Sequence, residues 1–87
     1  MKLREKIYDF ESREDLISAL KNGKSVYMKQ HYNSFSCIRY PYQKVTVDLE
    51  NQRISFTFQT SVWGDLEKGY ISFEKLDFNN YEVVEKF

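Results

Sequence analysis

The sequence contains little cysteine and little glycine. The shortage of cysteine excludes disulfides and a structural zinc site, and the shortage of glycine argues against a phosphate-binding loop. Cys37 is the only cysteine, so no disulfide can form within the chain. One cysteine and one histidine also fall short of the four ligands of a closed structural zinc site. The three glycines, Gly23, Gly64 and Gly69, form no phosphate-cradling loop of either common type. We therefore expect no metal ion and no cofactor.

The chain also lacks long apolar stretches. No run approaches the roughly 18 to 20 consecutive apolar residues that a membrane-spanning helix needs. Residues 1–10 alternate charged side chains with single apolar ones, whereas a secretory signal would show a continuous apolar run. These features predict a cytoplasmic protein without a membrane partner, and a single cysteine agrees with a reducing compartment.

No catalytic constellation can be recognised. A nucleophilic cysteine needs an imidazole within hydrogen-bonding distance and a third group that orients it, and nothing around His31 or Cys37 specifies that geometry. We expect His31 in an exposed loop and Cys37 half-buried on a strand. The sequence predicts that the protein is not an enzyme, because its C-terminal carboxylates are spaced as on a solvated strand face. These carboxylates are Glu67, Glu74, Asp77, Glu82 and Glu85.

What the chain does contain is enough for one small folded unit. Its 87 residues are 41% hydrophobic and include seven Phe and seven Tyr, each of which can bury roughly 150 to 250 Å². No tract rich in Ser, Gly or Pro divides the sequence. We therefore expect residues 1–87 to form a single domain.

The clearest local pattern is a short helix. Ser12 begins a capping-box-like pattern, and Leu16 and Leu20 lie one turn apart on the same helical face. Gly23 supplies a left-handed stop. The pattern predicts a helix over residues 13–22, which at about 15 Å long can cover one face of a small sheet.

Two alternating segments predict a hairpin. Residues 45–49 and 54–58 both alternate apolar with polar side chains, the pattern of strands with one buried face. Pairing Leu49 with Ile54 aligns the two apolar faces and leaves a two-residue turn at 51–52. A slip by one residue would place apolar side chains opposite polar ones, so we predict the first register.

Five further segments are rich in β-branched or aromatic residues and are weaker strand candidates. The N-terminal candidate, residues 6–10, also fits helical spacing through Leu3, Ile7 and Phe10, so a strand is only slightly favoured there. Residues 61–69 contain two glycines and are predicted to form a loop. The candidates are residues 6–10, 25–30, 35–40, 70–74 and 81–86.

The order of these elements predicts the fold class. A first strand, one helix and then several strands joined by short turns are typical of an α+β protein. We predict a single small domain with a mainly antiparallel sheet of about five strands and the helix packed on one face.

Charge is distributed unevenly along the chain. Residues 24–47 carry four basic and no acidic residues, whereas residues 48–87 carry four basic and eight acidic ones. Such asymmetry bears on partners rather than on fold. Aromatic residues interleave with the basic ones in the same segment, which is typical of surfaces that bind proteins or single-stranded nucleic acid. The predicted binding residues are Lys29, His31, Tyr32, Arg39, Tyr40, Tyr42, Lys44 and Trp63.

Trp63 allows two interpretations. Its indole could cover an open end of the sheet, or it could anchor an interface, where Trp, Tyr and Arg dominate the binding energy. The sequence does not decide between them, although the covering role is slightly favoured.

These features together predict a non-enzymatic binding or inhibitor module that occupies a surface of a larger protein or ribonucleoprotein. In size and composition the chain resembles small stand-alone proteins of bacteriophages and mobile elements, including anti-CRISPR inhibitors. No motif carries this resemblance, so no site residue is transferred. Two alternatives stay open: a small nucleic-acid-binding module that uses residues 24–44, and a small endoribonuclease-type toxin.

Overall fold

The computed structural model describes residues 5–60 and 64–86, which form one helix and nine strands in two antiparallel sheets. The predicted α+β class is confirmed, with the strands divided over two sheets. The helix is α1 (Arg13–Lys21), and the strands are β1 (Glu5–Asp9), β2 (Val26–Met28), β3 (His31–Asn33), β4 (Ile38–Tyr40), β5 (Gln43–Lys44), β6 (Thr46–Asp48), β7 (Arg53–Gln59), β8 (Leu66–Ser72) and β9 (Tyr81–Lys86). Two 3-10 turns, Phe73–Lys75 and Phe78–Asn80, precede β9.

The first sheet has the strand order β1-β9-β2-β5, and the second has β3-β4-β7-β6 with β8 also paired to β7. The segment at residues 6–10 is therefore a strand, because β1 pairs with β9 along its whole length. The described strands change sheet four times along the chain, between β2 and β3, β4 and β5, β5 and β6, and β8 and β9. At the third of these crossings the Val45 N–H donates to the carbonyl of Val26 at 3.0 Å. Because β8 pairs with all of β7, β6 and β4 share the opposite edge of β7.

The helix forms where the sequence predicts it and for the predicted reasons. Ser12 Oγ accepts the N–H of Asp15 at 3.2 Å, which satisfies one of the free donors of the first turn. Gly23 has a φ of +73°, the left-handed conformation that ends a helix. Leu16 and Leu20 are buried. Their side chains join residues of both sheets in one core, which contains Leu16, Ala19, Leu20, Val26, Met28, Val45, Ile54, Phe56, Phe73, Leu76 and Tyr81.

The β6–β7 hairpin differs from the predicted register by two residues. Val47 lies opposite Ile54 instead of Phe56, and Leu49 leaves the sheet for a loop that is four residues long. A shift by two residues keeps every side chain on its own face of the sheet. The alternation of apolar and polar residues therefore excludes a register shift by one residue, but it does not distinguish between registers that differ by two residues.

The chemistry of the loop explains the observed register. Asp48 Oδ1 accepts the N–H of Asn51 at 3.2 Å, and Gln52 has a φ of +50°. A two-residue turn at Asn51-Gln52 would need positive φ at both residues in its commonest form, which favours sequences such as Asn-Gly. The longer loop needs positive φ at one residue, so it fits this sequence better.

A glutamine side chain completes the edge of β7 in the gap between β6 and β4. Gln43 Oε1 accepts the N–H of Thr57 at 2.7 Å, and Gln43 Nε2 donates to the Thr57 carbonyl at 2.8 Å. The amide of Gln43 thus takes the place of a peptide group from a neighbouring strand. Both backbone groups of Thr57 are satisfied although no strand lies beside them there.

The predicted loop over residues 61–69 is wrong at its C-terminal end, because residues from Leu66 onward form β8. Gly69 lies opposite Phe56 in this strand. A Cβ atom on Gly69 would stand 2.8 and 2.9 Å from two carbons of the Phe56 ring. Glycine marks a close approach of an aromatic ring here rather than a turn. Trp63 lies outside the described residues, so neither interpretation of its role is tested.

Gly69→Ala is therefore expected to lower the free energy of unfolding by about 1 to 3 kcal/mol, because the new methyl group overlaps the Phe56 ring and forces it to move. This loss outweighs the roughly 0.4 to 1 kcal/mol that the substitution gains by restricting the unfolded chain. Urea denaturation measures the difference. Glu67→Ala is the matched control, since Glu67 is exposed on the same strand and should change stability by under about 0.5 kcal/mol. Equal effects at the two positions would contradict the packing of Phe56 against β8.

Candidate binding surface

The structure divides the predicted binding residues between the two sheets. Three of them belong to the first sheet or flank it, four belong to strands β3 and β4 of the second sheet, and one lies outside the described residues. The three are Lys29, Tyr42 and Lys44, the four are His31, Tyr32, Arg39 and Tyr40, and the last is Trp63.

On the first sheet, residues of the acid-free segment 24–47 meet carboxylates from distant parts of the chain. Lys29 Nζ is 2.8 Å from Asp9 Oδ1, Lys24 Nζ is 3.4 Å from Glu85 Oε1, and the Tyr42 hydroxyl donates to Glu82 Oε2 at 3.2 Å. Burial, and then the charge of Glu82, raise the pKa of Tyr42. Folding therefore brings carboxylates next to residues 24–47, although this segment contains none of its own.

The second sheet has one buried face and one open face. Side chains alternate along a strand, and residues paired across strands share a face. Ile54 and Phe56 of β7 are 0% and 8% exposed, so the residues that alternate with them point to the opposite side. We name this opposite side the Tyr32–Tyr70 face; it consists of Tyr32, Arg39, Thr46, Asp48, Arg53, Ser55, Thr57, Gln59, Leu66, Lys68, Tyr70 and Ser72. Ser55 is buried, whereas the other members are half-buried or exposed.

Two clusters of cations and tyrosines stand on the Tyr32–Tyr70 face. In the first, Arg53 Cζ lies 4.2 Å and Lys68 Nζ 5.6 Å from the ring centroid of Tyr70. In the second, Arg39 Cζ lies 5.9 Å from the ring centroid of Tyr32. These distances are those of cation–π contacts. Tyr70 and Tyr32 are still 50% and 56% exposed, so both rings keep area for a partner.

The Tyr32–Tyr70 face has a net positive charge. Among its described residues Asp48 is the one carboxylate, and its Oδ2 lies 3.3 Å from Arg53 Nε. Hydrogen bonds from the side chain and backbone of Asn51 lower the pKa of the Asp48 carboxyl. Asp48 is therefore engaged with its own hairpin, while Arg39 and Lys68 point their charge at solvent.

A cleft of about 440 Å³ opens at the Tyr32 end of this face. His31 and Tyr40 line it with stacked rings whose centroids are 4.3 Å apart. Because they alternate with Tyr32 and Arg39, they belong to the opposite face of the sheet, so the cleft lies at the edge that the two faces share. His31 Nδ1 is 3.0 Å from the carbonyl of Lys29. The expectation of His31 in an exposed loop is thus wrong, since it is half-buried in β3, a strand that the sequence analysis did not predict. The cleft is lined by Gln30, His31, Tyr32, Arg39, Tyr40, Pro41, Gln59 and Leu66.

Cys37 also lies elsewhere than predicted. It is exposed at the end of the loop between β3 and β4, with a φ of +55°, rather than half-buried on a strand. His31 is at the other end of the same hairpin, beyond the pairs Tyr32–Arg39 and Asn33–Ile38, which places it about 10 Å from Cys37 along the strand direction. The structure therefore does not bring these two side chains together as a nucleophile and its base.

The loop between β3 and β4 presents a fully exposed aromatic ring, that of Phe35. Asn33 Oδ1 accepts the N–H groups of Phe35 at 3.0 Å and Ser36 at 3.4 Å, which fixes the loop. The loop repeats the design of the β6–β7 loop, with an Asp or Asn before four loop residues and positive φ at the last of them. Phe35 is not among the predicted binding residues, although it lies in the acid-free segment 24–47.

Sequence reasoning also missed Arg53, Lys68 and Tyr70. They lie in the acidic part of the chain, where counting charges by segment indicates no basic surface. Lys68 and Tyr70 follow the spacing of one strand face, and that is the signal that could have found them. That they share a face with Arg39 becomes visible once β8 and β4 are both paired with β7.

Comparison of the chain with protein-family models, curated protein sequences and solved structures found no match. In residues 5–60 and 64–86, no helix is long and apolar enough to cross a membrane. The same residues contain no group of three or more His, Cys, Asp or Glu side chains arranged to hold a metal ion.

Proposed function

We propose that this protein is a non-enzymatic binding module that occupies a surface of a larger macromolecule through the Tyr32–Tyr70 face. The observation that carries the proposal is the gathering of Arg39, Arg53 and Lys68 around two half-exposed tyrosines on the open side of one sheet. Tyr and Arg are the residues that most often dominate binding energy at interfaces.

The sheet holds these side chains in place before any partner arrives. β7 pairs with β8 over seven residues and with β6 and β4 on its other edge, so Arg53 and Lys68 stand on hydrogen-bonded strands. A surface that is already ordered loses less conformational entropy on binding. Phe35, in the loop after the strand of Tyr32, is a candidate for a further anchor at that end.

Covering a partner's surface would inhibit the partner without catalysis, which is the mode of action expected from the sequence. We propose the cytoplasm as the compartment, because an exposed free thiol at Cys37 fits a reducing environment.

Affinity capture from a bacterial lysate tests this proposal with two charge-reversed variants. The double variant Arg39→Glu/Lys68→Glu removes two cations from the Tyr32–Tyr70 face and should lose captured partners at least about 10-fold, because opposite charges steer and hold the complex. Its thermal midpoint should stay close to that of the wild type, since isolated surface charges contribute little to stability.

The matched control is Lys21→Glu/Lys75→Glu, which makes the same change in net charge at exposed positions outside both this face and the predicted binding residues. The control should retain the partners of the wild type. Retention of the same partners by the Arg39→Glu/Lys68→Glu variant, or their selective loss in the control, would contradict the proposed surface.

A further inference from the structure

We propose that the partner of the Tyr32–Tyr70 face is a single-stranded nucleic-acid segment, an inference that rests on the proposed binding function. Single strands are bound by surfaces that combine cations along the backbone path with aromatic rings on which bases stack. The Tyr32–Tyr70 face supplies both on one side of a sheet.

The charges suit a phosphate backbone. Arg39, Arg53 and Lys68 are spread across three strands of the face, while Asp48 is already held by Asn51 and Arg53. Each phosphate that such a cation neutralises releases condensed counterions, which is the main source of affinity that does not depend on sequence.

The rings suit unstacked bases. Tyr70 and Tyr32 keep about half of their surface exposed, and the Arg53 guanidinium lies over the Tyr70 ring at 4.2 Å. Bases of single strands stack on aromatic rings and on guanidinium planes alike. A duplex hides the faces of its bases, and this open sheet face presents no helix that could enter a groove.

The distance between the two rings suits several nucleotides. Tyr70 of β8 pairs with Ser55 of β7. Gln59 of β7 pairs with Arg39 of β4, which in turn pairs with Tyr32 of β3. The rings are therefore about three strand spacings (~14 Å) and four residues (~13 Å) apart, or about 20 Å along the diagonal. Stacked nucleotides rise about 3.4 Å each and unstacked ones span more, so this distance corresponds to at most roughly six nucleotides.

The centre of the face favours nucleic acid over a protein partner. Thr57 and Gln59 lie between the two clusters and are polar. The Thr57 hydroxyl donates to Gln43 Oε1 at 3.0 Å and Gln59 Nε2 donates to the Gly64 carbonyl at 2.8 Å, so the second N–H of the Gln59 amide is the donor left for phosphate, sugar or base edges. The buried centre of a protein interface is instead more apolar than its rim. The cleft at the Tyr32 end, at about 440 Å³, is within the range of volumes of small-molecule sites and can receive one base.

Fluorescence anisotropy with labelled oligonucleotides of about ten nucleotides tests the proposal, with one single-stranded RNA, one single-stranded DNA and one duplex. The single strands should bind at least about 10-fold more tightly than the duplex, in line with a site built on stacking. The plot of log K against log salt should have a slope of about −1.4, since Arg39 and Lys68 can each neutralise one phosphate at roughly −0.7 apiece, whereas Arg53 is paired with Asp48. Lys68→Gln should reduce the magnitude of that slope by about 0.7.

Tyr70→Ala and Tyr32→Ala should each weaken single-strand binding by about 5- to 100-fold, the usual effect of removing one stacking platform. Tyr8→Ala is the matched control, because Tyr8 is a partly exposed tyrosine on β1 of the first sheet, and it should bind as the wild type does. Circular dichroism checks that each variant is folded. If a tyrosine variant does not fold, the salt dependence of Lys68→Gln still tests the proposal.

Absence of single-strand binding at low salt, equal affinity for the duplex, or an equal loss in Tyr8→Ala would each overturn the nucleic-acid proposal. Lysate capture separates this failure from failure of the proposed function. A partner that survives nuclease treatment and is lost in Arg39→Glu/Lys68→Glu would leave the binding function standing with a protein as the partner.

Discussion

Phe56→Ala is expected to lower the free energy of unfolding by about 3 to 5 kcal/mol, the usual cost of removing a buried phenyl ring. Phe56 is 8% exposed, and its ring lies over Gly69 and beside the rings of Tyr40 and Phe58, with centroids 5.8 and 6.3 Å away. A domain of this size has a total stability of only about 5 to 15 kcal/mol. The variant should therefore be marginally folded, as urea denaturation followed by far-ultraviolet circular dichroism would show.

Phe35→Ala is the matched control because it makes the same substitution at a fully exposed ring. Without burial there is no cavity to create, so the loss should stay under about 0.5 kcal/mol. Similar losses at the two positions would place Phe35 in a packed environment and contradict the described β3–β4 loop.

Local signals predicted the elements that depend on local physics. The helix follows from Ser12, Gly23 and the spacing of Leu16 and Leu20, because capping, left-handed stops and amphipathic spacing all act within one or two turns of chain. The final strand at residues 81–86 was predicted with its observed bounds. Its tyrosine and two valines favour a strand through local propensity, which needs no knowledge of distant contacts.

Predictions that depended on long-range contacts were less accurate. The hairpin register was wrong by two residues because the pattern at Val47 and Leu49 is unchanged by such a shift, and loop chemistry at Asp48 decided the matter. Gly69 was assigned to a loop because a glycine in sequence indicates freedom of the backbone. The close approach of Phe56 that explains Gly69 is visible only in three dimensions.

The candidate surface illustrates the same limit for charge. The sequence indicated residues 24–47 as one basic segment, but folding pairs Lys29 with Asp9 and places Arg39 on a different sheet. It also brings Lys68 from the acidic part of the chain to the face of Arg39. Charge counted along the chain indicated one basic segment, whereas strand pairing divides that segment between two sheets and places Arg39 on a face with Arg53 and Lys68 from outside it.

Tyr81 should make the protein less stable in alkali than the same protein with phenylalanine at this position. Tyr81 is 2% exposed at the start of β9. Burial, and then the charge of Asp77, raise the pKa of its hydroxyl from 10.0 to about 12, because the phenolate is poorly solvated inside the protein.

The direction of the pH effect follows from which state binds the proton. Below pH 10 the hydroxyl is protonated in both the folded and the unfolded chain, and Tyr81 adds no pH dependence. Between pH 10 and about 12 the unfolded chain loses this proton while the folded protein keeps it. Stability then falls by up to about 1.4 kcal/mol per pH unit, which sums to roughly 2.5 kcal/mol.

Tyr81→Phe isolates this contribution, because the other groups that titrate in alkali are present in both proteins. Losing the hydroxyl can shift the stability of the variant by a constant amount at every pH. The difference between wild type and variant should therefore be constant from about pH 7 to pH 9 and should then move in favour of the variant by roughly 2.5 kcal/mol up to pH 12. Urea denaturation at a series of pH values measures it, and parallel stability curves above pH 10 would show that the Tyr81 hydroxyl is not held in the protonated form by the fold.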